Sequence, residues 1–376
     1  MRQPLVAVGS MLATRWRFTC SIVGTGVVIG LVWCGSGIAT TDARSPELAV
    51  RVGEDLVLVS VDGGRRHLRT GYPNSATFSP DGRSVVYSGP TGRGRGSVLF
   101  VQSLATDGRR RRLTRPVFHG RLATDDQQPA VSPDGTLVAF IRDRQLGDGK
   151  HRVSLLIVPF AGGRPRPLRR FVYRAGYGAP IRSAAWSPDG TSLAVVIDGR
   201  VVLLTPTGRT VRVVSPPDTL VDSRVSWSPD GREIAVGVLG RKPTDPGAPG
   251  LLLALRVRGG APRTLLTCLE GCADPAWSPD GKRIAVSDGT GPPAPAGSIF
   301  AMRILDAATG TIQWSSNPRK LLDRSSATWS RDGRYLAFER FTSWAETAFR
   351  TDTAILDTQT RRITVILPGA SAFAWR

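Results

Sequence analysis

Four carboxylates in the middle of the chain are of a type suited to acid–base chemistry or to cation binding. Asp125 and Asp126 are adjacent, and Asp143 and Asp148 follow them in the sequence. Paired carboxylates serve as general acid and base or as oxygen ligands for a cation, although surface loops also carry such residues routinely. The chain has no Gly-x-Ser-x-Gly elbow, no phosphate-binding loop and no histidine pair at ligand spacing. Catalysis by the four carboxylates therefore remains the alternative to a binding function.

Histidine and cysteine are too sparse to predict a metal site. His67, His119 and His151 lie far apart, and the chain beyond its apolar amino-terminal segment has two cysteines, Cys268 and Cys272. Two cysteines supply too few ligands for a structural zinc site. In an oxidising compartment this pair can close a small disulfide loop, whereas in the cytosol both would stay free thiols. We predict a disulfide, and no metal or cofactor.

Aromatic and basic residues recur in segments expected to be long loops, at residues 116–128, 171–182 and 341–350. Exposed aromatics together with arginine are favoured at the centres of protein contacts, and loops on a rigid scaffold are the usual place for binding. The alternative is that these side chains fold back as local packing. The predicted partner-binding residues are His119, Phe171, Tyr173, Arg174, Tyr177, Phe341 and Trp344.

The elements that must position these residues come from a repeat. An aromatic residue or valine followed by Ser-Pro-Asp-Gly occurs five times, and Trp329-Ser-Arg-Asp-Gly333 is a sixth copy, at intervals of 41 to 55 residues. Each copy lies between two short apolar runs, and a second hairpin follows it, so that each repeat holds four strands. The 42 glycines and 28 prolines agree with many short strands and turns rather than a helical bundle. Four-stranded repeats predict an all-β fold, a β-propeller.

The repeated aspartates have a structural explanation. Proline presets the turn, aspartate hydrogen-bonds the local backbone, and glycine closes the turn, which suits a tight hairpin. Calcium binding is the functional alternative, and we favour the turn role. The residues are Asp81, Asp134, Asp189, Asp230, Asp280 and Asp332.

On these motifs the chain resembles the TolB-type β-propellers, whose Pro-Asp repeats have the form Trp-Ser-Pro-Asp-Gly followed by Ile-Ala-Phe or Ile-Ala-Val. The resemblance covers nearly all of residues 45–376. It implies a propeller, and it implies binding of other proteins in the bacterial envelope, as TolB does.

The ends of the chain contain a seventh repeat cut in two. Residues 48–70 hold three apolar runs that match the second, third and fourth strands of a repeat, and Ser371–Trp375 matches a first strand ending in tryptophan. We predict seven blades, the last closed by pairing of amino-terminal and carboxy-terminal strands, with six blades as the fallback.

The first 44 residues form a separate segment. Residues 18–41 are 24 consecutive uncharged positions, preceded by Arg15 and Arg17 and followed by Asp42. This length spans a membrane, and the charge bias predicts a cytoplasmic amino terminus. The segment is thus a helical signal-anchor, or a signal peptide cleaved near Ala39. We expect residues 45–376 to lie outside the cytoplasm, anchored or secreted.

The net charge of +20 is spread over the whole chain rather than confined to its amino terminus. Such a surface attracts acidic polymers or lipid headgroups in a salt-dependent way. Arginine runs at residues 65–66, 109–112 and 164–170 fall on predicted outermost strands, where charge also prevents edge-to-edge pairing. The Arg-Gly segment at residues 92–96 resembles an RNA-binding sequence, but a flexible loop explains it and export argues against nucleic acid.

These observations predict an exported, non-catalytic propeller scaffold that binds a protein, a peptide or another envelope component through its loop-rich face. The alternative is a propeller hydrolase or lyase that uses the loop carboxylates, with or without a cation.

Overall fold

The computed structural model describes residues 45–91, 95–105, 108–119, 122–176, 179–221, 223–239, 249–269, 271–289, 300–316, 327–345 and 348–376. Every helix or strand in these residues is a β-strand, which confirms the all-β prediction for them. The described residues contain no helix long and apolar enough to cross a membrane. The predicted amino-terminal helix lies outside them, within the separate unit Met1–Arg44.

Short apolar runs separated by glycine- and proline-rich turns form the strands. The first fifteen in chain order are β1 (Glu47–Val52), β2 (Asp55–Ser60), β3 (Arg65–Leu68), β4 (Ser75–Phe78), β5 (Ser84–Pro90), β6 (Arg95–Ser103), β7 (Arg110–Arg112), β8 (Phe118–His119), β9 (Leu122–Val131), β10 (Leu137–Gly147), β11 (Lys150–Pro159), β12 (Arg166–Arg174), β13 (Ile181–Trp186), β14 (Leu193–Ile197) and β15 (Arg200–Leu204).

The second half of the chain continues the same pattern. Its strands are β16 (Thr210–Val213), β17 (Leu220–Val221), β18 (Ser226–Trp227), β19 (Glu233–Leu239), β20 (Gly250–Arg256), β21 (Arg263–Cys268), β22 (Cys272–Trp277), β23 (Arg283–Gly289), β24 (Phe300–Asp306), β25 (Ile312–Ser315), β26 (Thr328–Trp329), β27 (Tyr335–Ala345), β28 (Ala348–Asp357), β29 (Arg362–Pro368) and β30 (Ala370–Trp375).

Antiparallel pairing groups these strands into meanders, which we label A to G in chain order. Meander A has the strand order β30-β1-β2-β3, B has β4-β5-β6-β7, and C has β9-β10-β11-β12 with β8 beside β9. Meander D is β13-β14-β15-β16, F is β22-β23-β24-β25 and G is β26-β27-β28-β29. In meander E, β17 and β18 both pair with β19, followed by β20 and β21. B and C share one sheet because β6 and β9 also pair in parallel.

Meander A joins the two ends of the described chain. Leu48 lies opposite Trp375 and Val52 opposite Ala370 in the antiparallel register of β1 with β30. Arg376 continues the pairing, since its backbone N–H donates to the Glu47 carbonyl at 2.8 Å and its guanidinium binds the Glu47 carboxylate. Arg376 Nε also donates to the Gly82 carbonyl at 2.6 Å, in the first Ser-Pro-Asp-Gly turn. The carboxy-terminal residue therefore ties meander A to meander B.

Each meander packs an apolar face against the next one. Buried clusters lie between A and B, B and C, C and D, D and E, E and F, F and G, and G and A. Within β14, Leu193 and Val195 join the cluster toward C, while Ala194 and Val196 join the cluster toward E. A strand covered on both faces has no polar side, which explains why such strands are continuously apolar rather than alternating.

Tryptophan at the end of the first strand links neighbouring meanders by hydrogen bonds. Its indole N–H donates to a carbonyl in the first strand of the preceding meander, at the residue just before the aromatic or valine of that repeat. The pairs are Trp186 to Ala130 at 3.0 Å, Trp227 to Ala185 at 3.1 Å, Trp329 to Ala276 at 3.0 Å and Trp375 to Thr328 at 2.9 Å. Trp375 thus makes the same contact as Trp186, Trp227 and Trp329, whereas the Trp277 indole N–H has no partner among the described residues.

Candidate functional site

The turn aspartates bind the backbone and serine of their own turns. Asp81 accepts hydrogen bonds from the Ser79 hydroxyl at 2.6 Å and from the Arg83 N–H at 3.0 Å. The other five repeats have the same two bonds, at Asp134, Asp189, Asp230, Asp280 and Asp332.

The serine bond also sets the ionisation of four of these carboxyls. It is the largest cause that lowers the pKa of Asp81, Asp134, Asp189 and Asp230 below its ordinary value. We name the end of the meanders that carries these turns the turn end.

The opposite end, where second and third strands connect, is the loop end, and here the structure differs from the predicted loops. Phe171, Tyr173 and Arg174 lie in strand β12. His119 ends β8, and Phe341 and Trp344 lie in β27. The side chains of these three residues, and all of Tyr177, lie outside the described part of the chain. Residues 143–152 were also expected to form a loop, yet residues 142–154 pair in register across β10 and β11.

A hydrogen-bonded cluster holds the loop end of meander C together. Tyr173 donates its hydroxyl to the Asp143 carboxylate at 2.8 Å, and His151 Nδ1 lies 3.2 Å from the same carboxylate. The His151 and Tyr173 rings are 5.3 Å apart. Burial and the Asp143 carboxylate raise the pKa of Tyr173. Phe171 and Tyr173 also pack on the buried cluster between C and D, so they contribute to local packing as well as to the loop end.

Asp126 is fully buried and its carboxylate is occupied by protein groups. Arg142 donates from Nε at 2.5 Å and from Nη2 at 2.7 Å, and the Thr114 hydroxyl donates at 2.6 Å. Burial raises the pKa of Asp126, while Arg142 and Thr114 lower it. A carboxylate bound on both oxygens in this way is a structural ion pair, with no free oxygen for a substrate proton.

The remaining predicted carboxylates differ in position. Asp125 is half-buried and accepts a hydrogen bond from the Ser97 hydroxyl at 3.3 Å. Burial and, to a lesser extent, the nearby Asp143 charge raise the pKa of Asp125. Asp148 lies between β10 and β11, where its backbone has a φ of +51°. Asp125 and Asp143 therefore belong to one site, and Asp148 occupies the exposed hairpin tip.

Two cavities near the loop end share Gln128 and Arg224. The first, of about 440 Å³, is lined by Asp125, Asp143 and Asp274 together with Arg182 and Arg224. The second, of about 460 Å³, is lined by the first strands of meanders A to D and by Arg224 and Val225, which lie between β17 and β18 of meander E. Arg51 and Glu339 also line it. Together they form a polar cleft, which we call the central cleft, with cations, carboxylates and amides in its walls.

Gln128, Arg224 and Asp274 also line the cleft and were not predicted as site residues. Gln128 and Asp274 have left-handed backbone conformations, with φ of +52° and +47°, at irregular positions in β9 and β22. Asp274 accepts a hydrogen bond from the Arg224 N–H at 3.0 Å. All three lie three residues before the aromatic or valine of a repeat, and this spacing is the sequence signal that could have identified them.

A larger cavity of about 920 Å³ opens between meanders D and E at the turn end. Its walls include the turn residues Asp189 and Asp230, which are bound to their own turns, and the exposed residues Arg256 and Arg258. It is a groove between two repeats, whereas the first strands of meanders A to D and residues of meander E converge on the central cleft. The central cleft is therefore the stronger candidate for the functional site.

Arginines on the outer strands, including two from the arginine runs, make contacts that a purely solvated belt would lack. Arg66 donates to the Leu104 carbonyl at 2.8 Å, and Arg166 donates to the Pro206 carbonyl at 2.7 Å. Arg263 Nη1 reaches the Ala308 carbonyl at 2.8 Å. In each case an outer-strand arginine binds the outer hairpin turn of the next meander. Part of the positive charge of the protein thus stabilises the contacts between meanders.

Cys268 and Cys272 are bonded as a disulfide, with Cα atoms 5.5 Å apart, between β21 and β22. Both side chains are buried in the cluster between E and F. Among the described residues, no group of three or more histidine, cysteine, aspartate or glutamate side chains is placed to hold a metal ion.

No protein-family model matches the chain, and no curated protein matches it significantly. Among solved structures, an oligogalacturonate lyase in complex with manganese is similar with a TM-score of 0.54 at 15% identity, over 76% of this chain and 79% of that chain. The oligogalacturonate lyase of Vibrio parahaemolyticus gives 0.55 at 14% identity, over 76% of this chain and 79% of that chain. At these identities the two likenesses show a shared fold.

TolB from Acinetobacter baumannii is also similar, with a TM-score of 0.47 at 18% identity over 88% of this chain. The matched region is 65% of the TolB chain, so this chain spans about two thirds of its length.

Proposed function

We propose that residues 45–376 form a seven-bladed, TolB-type β-propeller, that the blades are meanders A to G, and that the central cleft binds a protein or peptide partner of the cell envelope. The cyclic order of the buried clusters supports seven blades, because G packs on A as every other meander packs on its successor. The pairing of β1 with β30 supports a last blade built from both ends of the chain. Residues 1–44 would act as membrane anchor, or as a signal segment if cleaved, with the propeller outside the cytoplasm.

The observation that carries a binding role is the make-up of the central cleft. Its walls combine Arg182 and Arg224 with Asp274 and the amides of Gln127 and Gln128, which suits the mixed polar groups of an extended peptide. Of the carboxylates expected for an enzyme, Asp126 is fully engaged by Arg142 and Thr114. Asp143 holds Tyr173 and His151. These contacts favour a rigid binding wall over proton transfer.

The test is crosslinking in intact cells, followed by affinity purification of the chain, a salt wash and mass spectrometry of what stays bound. Arg224→Glu reverses one charge in the cleft, and Arg258→Glu is the matched control, because Arg258 is an exposed arginine in the turn-end groove. We expect a stable protein that is retained by the wild type and by Arg258→Glu and lost from Arg224→Glu. Equal retention by both variants would remove the cleft as the site. Recovery of salt-labile anionic polymer alone would refute protein binding.

A second candidate function is a cation-assisted lyase or hydrolase. The observation that favours it is that Asp125 and Asp143 line the same cavity. The fold shared with an oligogalacturonate lyase in complex with manganese adds support. The test is titration of the purified chain with Mn²⁺ and incubation with oligogalacturonate, read by the ultraviolet absorbance of an unsaturated product. Cleavage that Asp125→Asn abolishes would establish the enzyme. Failure to cleave, together with failure to bind Mn²⁺, would exclude this candidate.

A further inference from the structure

Strand β12 is the longest outer strand of the described meanders and ends the strand path of its sheet. It has nine residues, Arg166–Arg174, whereas the outer strands β3, β7, β16, β21, β25 and β29 have three to seven. Its first half contacts meander D through Arg166 and Arg169, which bind carbonyls between Pro206 and Gly208. The second half, residues 170–174, extends beyond these contacts as a free edge.

The hydrogen-bond pattern shows which backbone groups face that edge. Ala175 donates its N–H to the Gly149 carbonyl at 2.8 Å, directly beyond the register pair of Lys150 with Arg174. In an antiparallel ladder, bonded and non-bonded pairs alternate. Residues 171 and 173 therefore bond β11. Residues 170, 172 and 174 direct their N–H and C=O groups outward, where a further strand can pair with them.

The side chains of these three residues are exposed, and two of them are charged. Arg170, Val172 and Arg174 lie on one face of β12, and the Val172 side chain is 58% exposed. On β11, Arg152 lies opposite Val172 and Lys150 opposite Arg174, which adds two cations to this face. Within the described part of the chain, no side-chain hydrogen bond or ion pair engages Arg170 or Arg174. On this face the edge thus has a basic, apolar, basic order of side chains, and its outward backbone groups are available to pair with a further strand.

This pattern selects the partner by charge. A second copy of β12 would set arginine opposite arginine, and like charges on paired strands are destabilising, whereas opposite charges stabilise. A strand that alternates acidic and apolar residues would set its carboxylates on the face of Arg170 and Arg174 and its apolar side chains on the opposite face, beside Phe171 and Tyr173. A membrane or a disordered polyanion would also use the charges, but neither would need the outward backbone groups.

We propose that the free edge of β12, residues 170–174, binds an extended acidic segment of another protein by strand addition, with alternating acidic and apolar side chains. This edge is distinct from the central cleft, so it adds a second contact surface to the proposed scaffold. The proposal does not depend on the cleft being a binding site.

The test uses a fluorescent synthetic peptide of alternating glutamate and valine, with anisotropy measured on the full purified chain. A peptide of the same composition, with its glutamates and valines in separate blocks, is the control probe. Val172→Pro removes one outward N–H without touching the bonds to β11, because proline is tolerated on edge strands whose N–H faces solvent. The matched control is Val213→Pro. Val214 donates to the Val201 carbonyl, so Val213 is also an outward, exposed valine on an outer strand, β16.

We expect Val172→Pro to weaken binding of the alternating peptide at least about tenfold, because the variant loses one backbone hydrogen bond at the edge and disturbs the register of the added strand. We expect Val213→Pro to leave binding unchanged. The charge-reversed variant R170E/R174E should lose the glutamate–valine peptide and gain an alternating lysine–valine peptide, which keeps the proposal testable if the proline variant fails to fold. Equal binding of both glutamate peptides, or binding unaffected by Val172→Pro in a folded protein, would overturn strand addition. Binding of anionic vesicles that depends on Arg170 and Arg174 but not on the Val172 N–H would assign the edge to a lipid surface instead.

Discussion

Replacement of Arg142 by methionine should strongly destabilise the protein at neutral pH, because it leaves a buried charge without its partner. Asp126 is fully buried, and the Arg142 side chain beside it is 13% exposed. Removing one member of a buried ion pair costs about 3–5 kcal/mol. The Thr114 hydroxyl at 2.6 Å remains and compensates for only part of that loss. The measurement is urea denaturation followed by tryptophan fluorescence, with far-ultraviolet circular dichroism as a second probe.

The double variant D126N/R142M provides the control, since the neutral amide removes the unpaired charge while keeping the size of the side chain. We expect it to recover about half or more of the lost free energy of unfolding, which would show that charge rather than packing causes the effect. Burial already raises the pKa of Asp126 in the native state, and loss of Arg142 should raise it further. The folded state then favours the protonated carboxyl, so the deficit of Arg142→Met should shrink as the pH is lowered. A deficit under about 0.5 kcal/mol at pH 7, or one independent of pH, would refute the reasoning.

Three further predictions concern the repeats and a second buried carboxyl. Trp329→Phe should lower the free energy of unfolding, measured by urea denaturation, by about 1 kcal/mol more than Trp277→Phe does. The reason is that the Trp329 indole donates to the Ala276 carbonyl, whereas the buried Trp277 indole N–H has no partner among the described residues. Equal losses would contradict a stabilising bond between meanders F and G. Gly190→Ala should lower the free energy of unfolding by about 1–2 kcal/mol, because Gly190 has a φ of +69°, which alanine adopts only with strain. The new methyl group would meet only ordinary contacts, so backbone strain alone causes the loss. An unchanged melting temperature would contradict this. Burial raises the pKa of Asp288 to about 6, so its contribution to stability is present below its ordinary pKa of 3.8 and is lost as the pH rises through 6. The free energy of unfolding of the wild type should therefore fall between about pH 4 and pH 6, and D288N should make this fall smaller by at most about 3 kcal/mol. The same pH slope in D288N and in the wild type would refute this prediction.

Much of the secondary structure could be predicted from local residues. The runs Leu193–Ile197 and Ser371–Trp375 were predicted as strands, and the structure has β14 at Leu193–Ile197 and β30 at Ala370–Trp375. The turn role of the aspartates is also local, because their partners lie within two residues. Such interactions need no knowledge of the fold.

The candidate site was predicted only in part, because its residues meet through register and packing. Asp125 and Asp143 were identified as chemistry-bearing residues, but their pairing across β9 and β10 follows from the register of two long strands. Phe171 and Tyr173 were expected in a loop, since arginines interrupt the apolar pattern around them. In the structure the arginines take one face of β12 and the aromatics the other, and the aromatics find a buried surface on meander D.

The sequence by itself determined the repeat, its turns and its short apolar strands, since these depend on residues a few positions apart. Only the tertiary structure decided that Asp126 would be buried against Arg142, that Arg224 would share a cleft with Gln128, and that residues 170–174 would remain a free edge. Each of these depends on which surfaces the neighbouring meanders cover. Burial, and with it the strength of a charge or a hydrogen bond, is a property of the assembled packing rather than of any one segment.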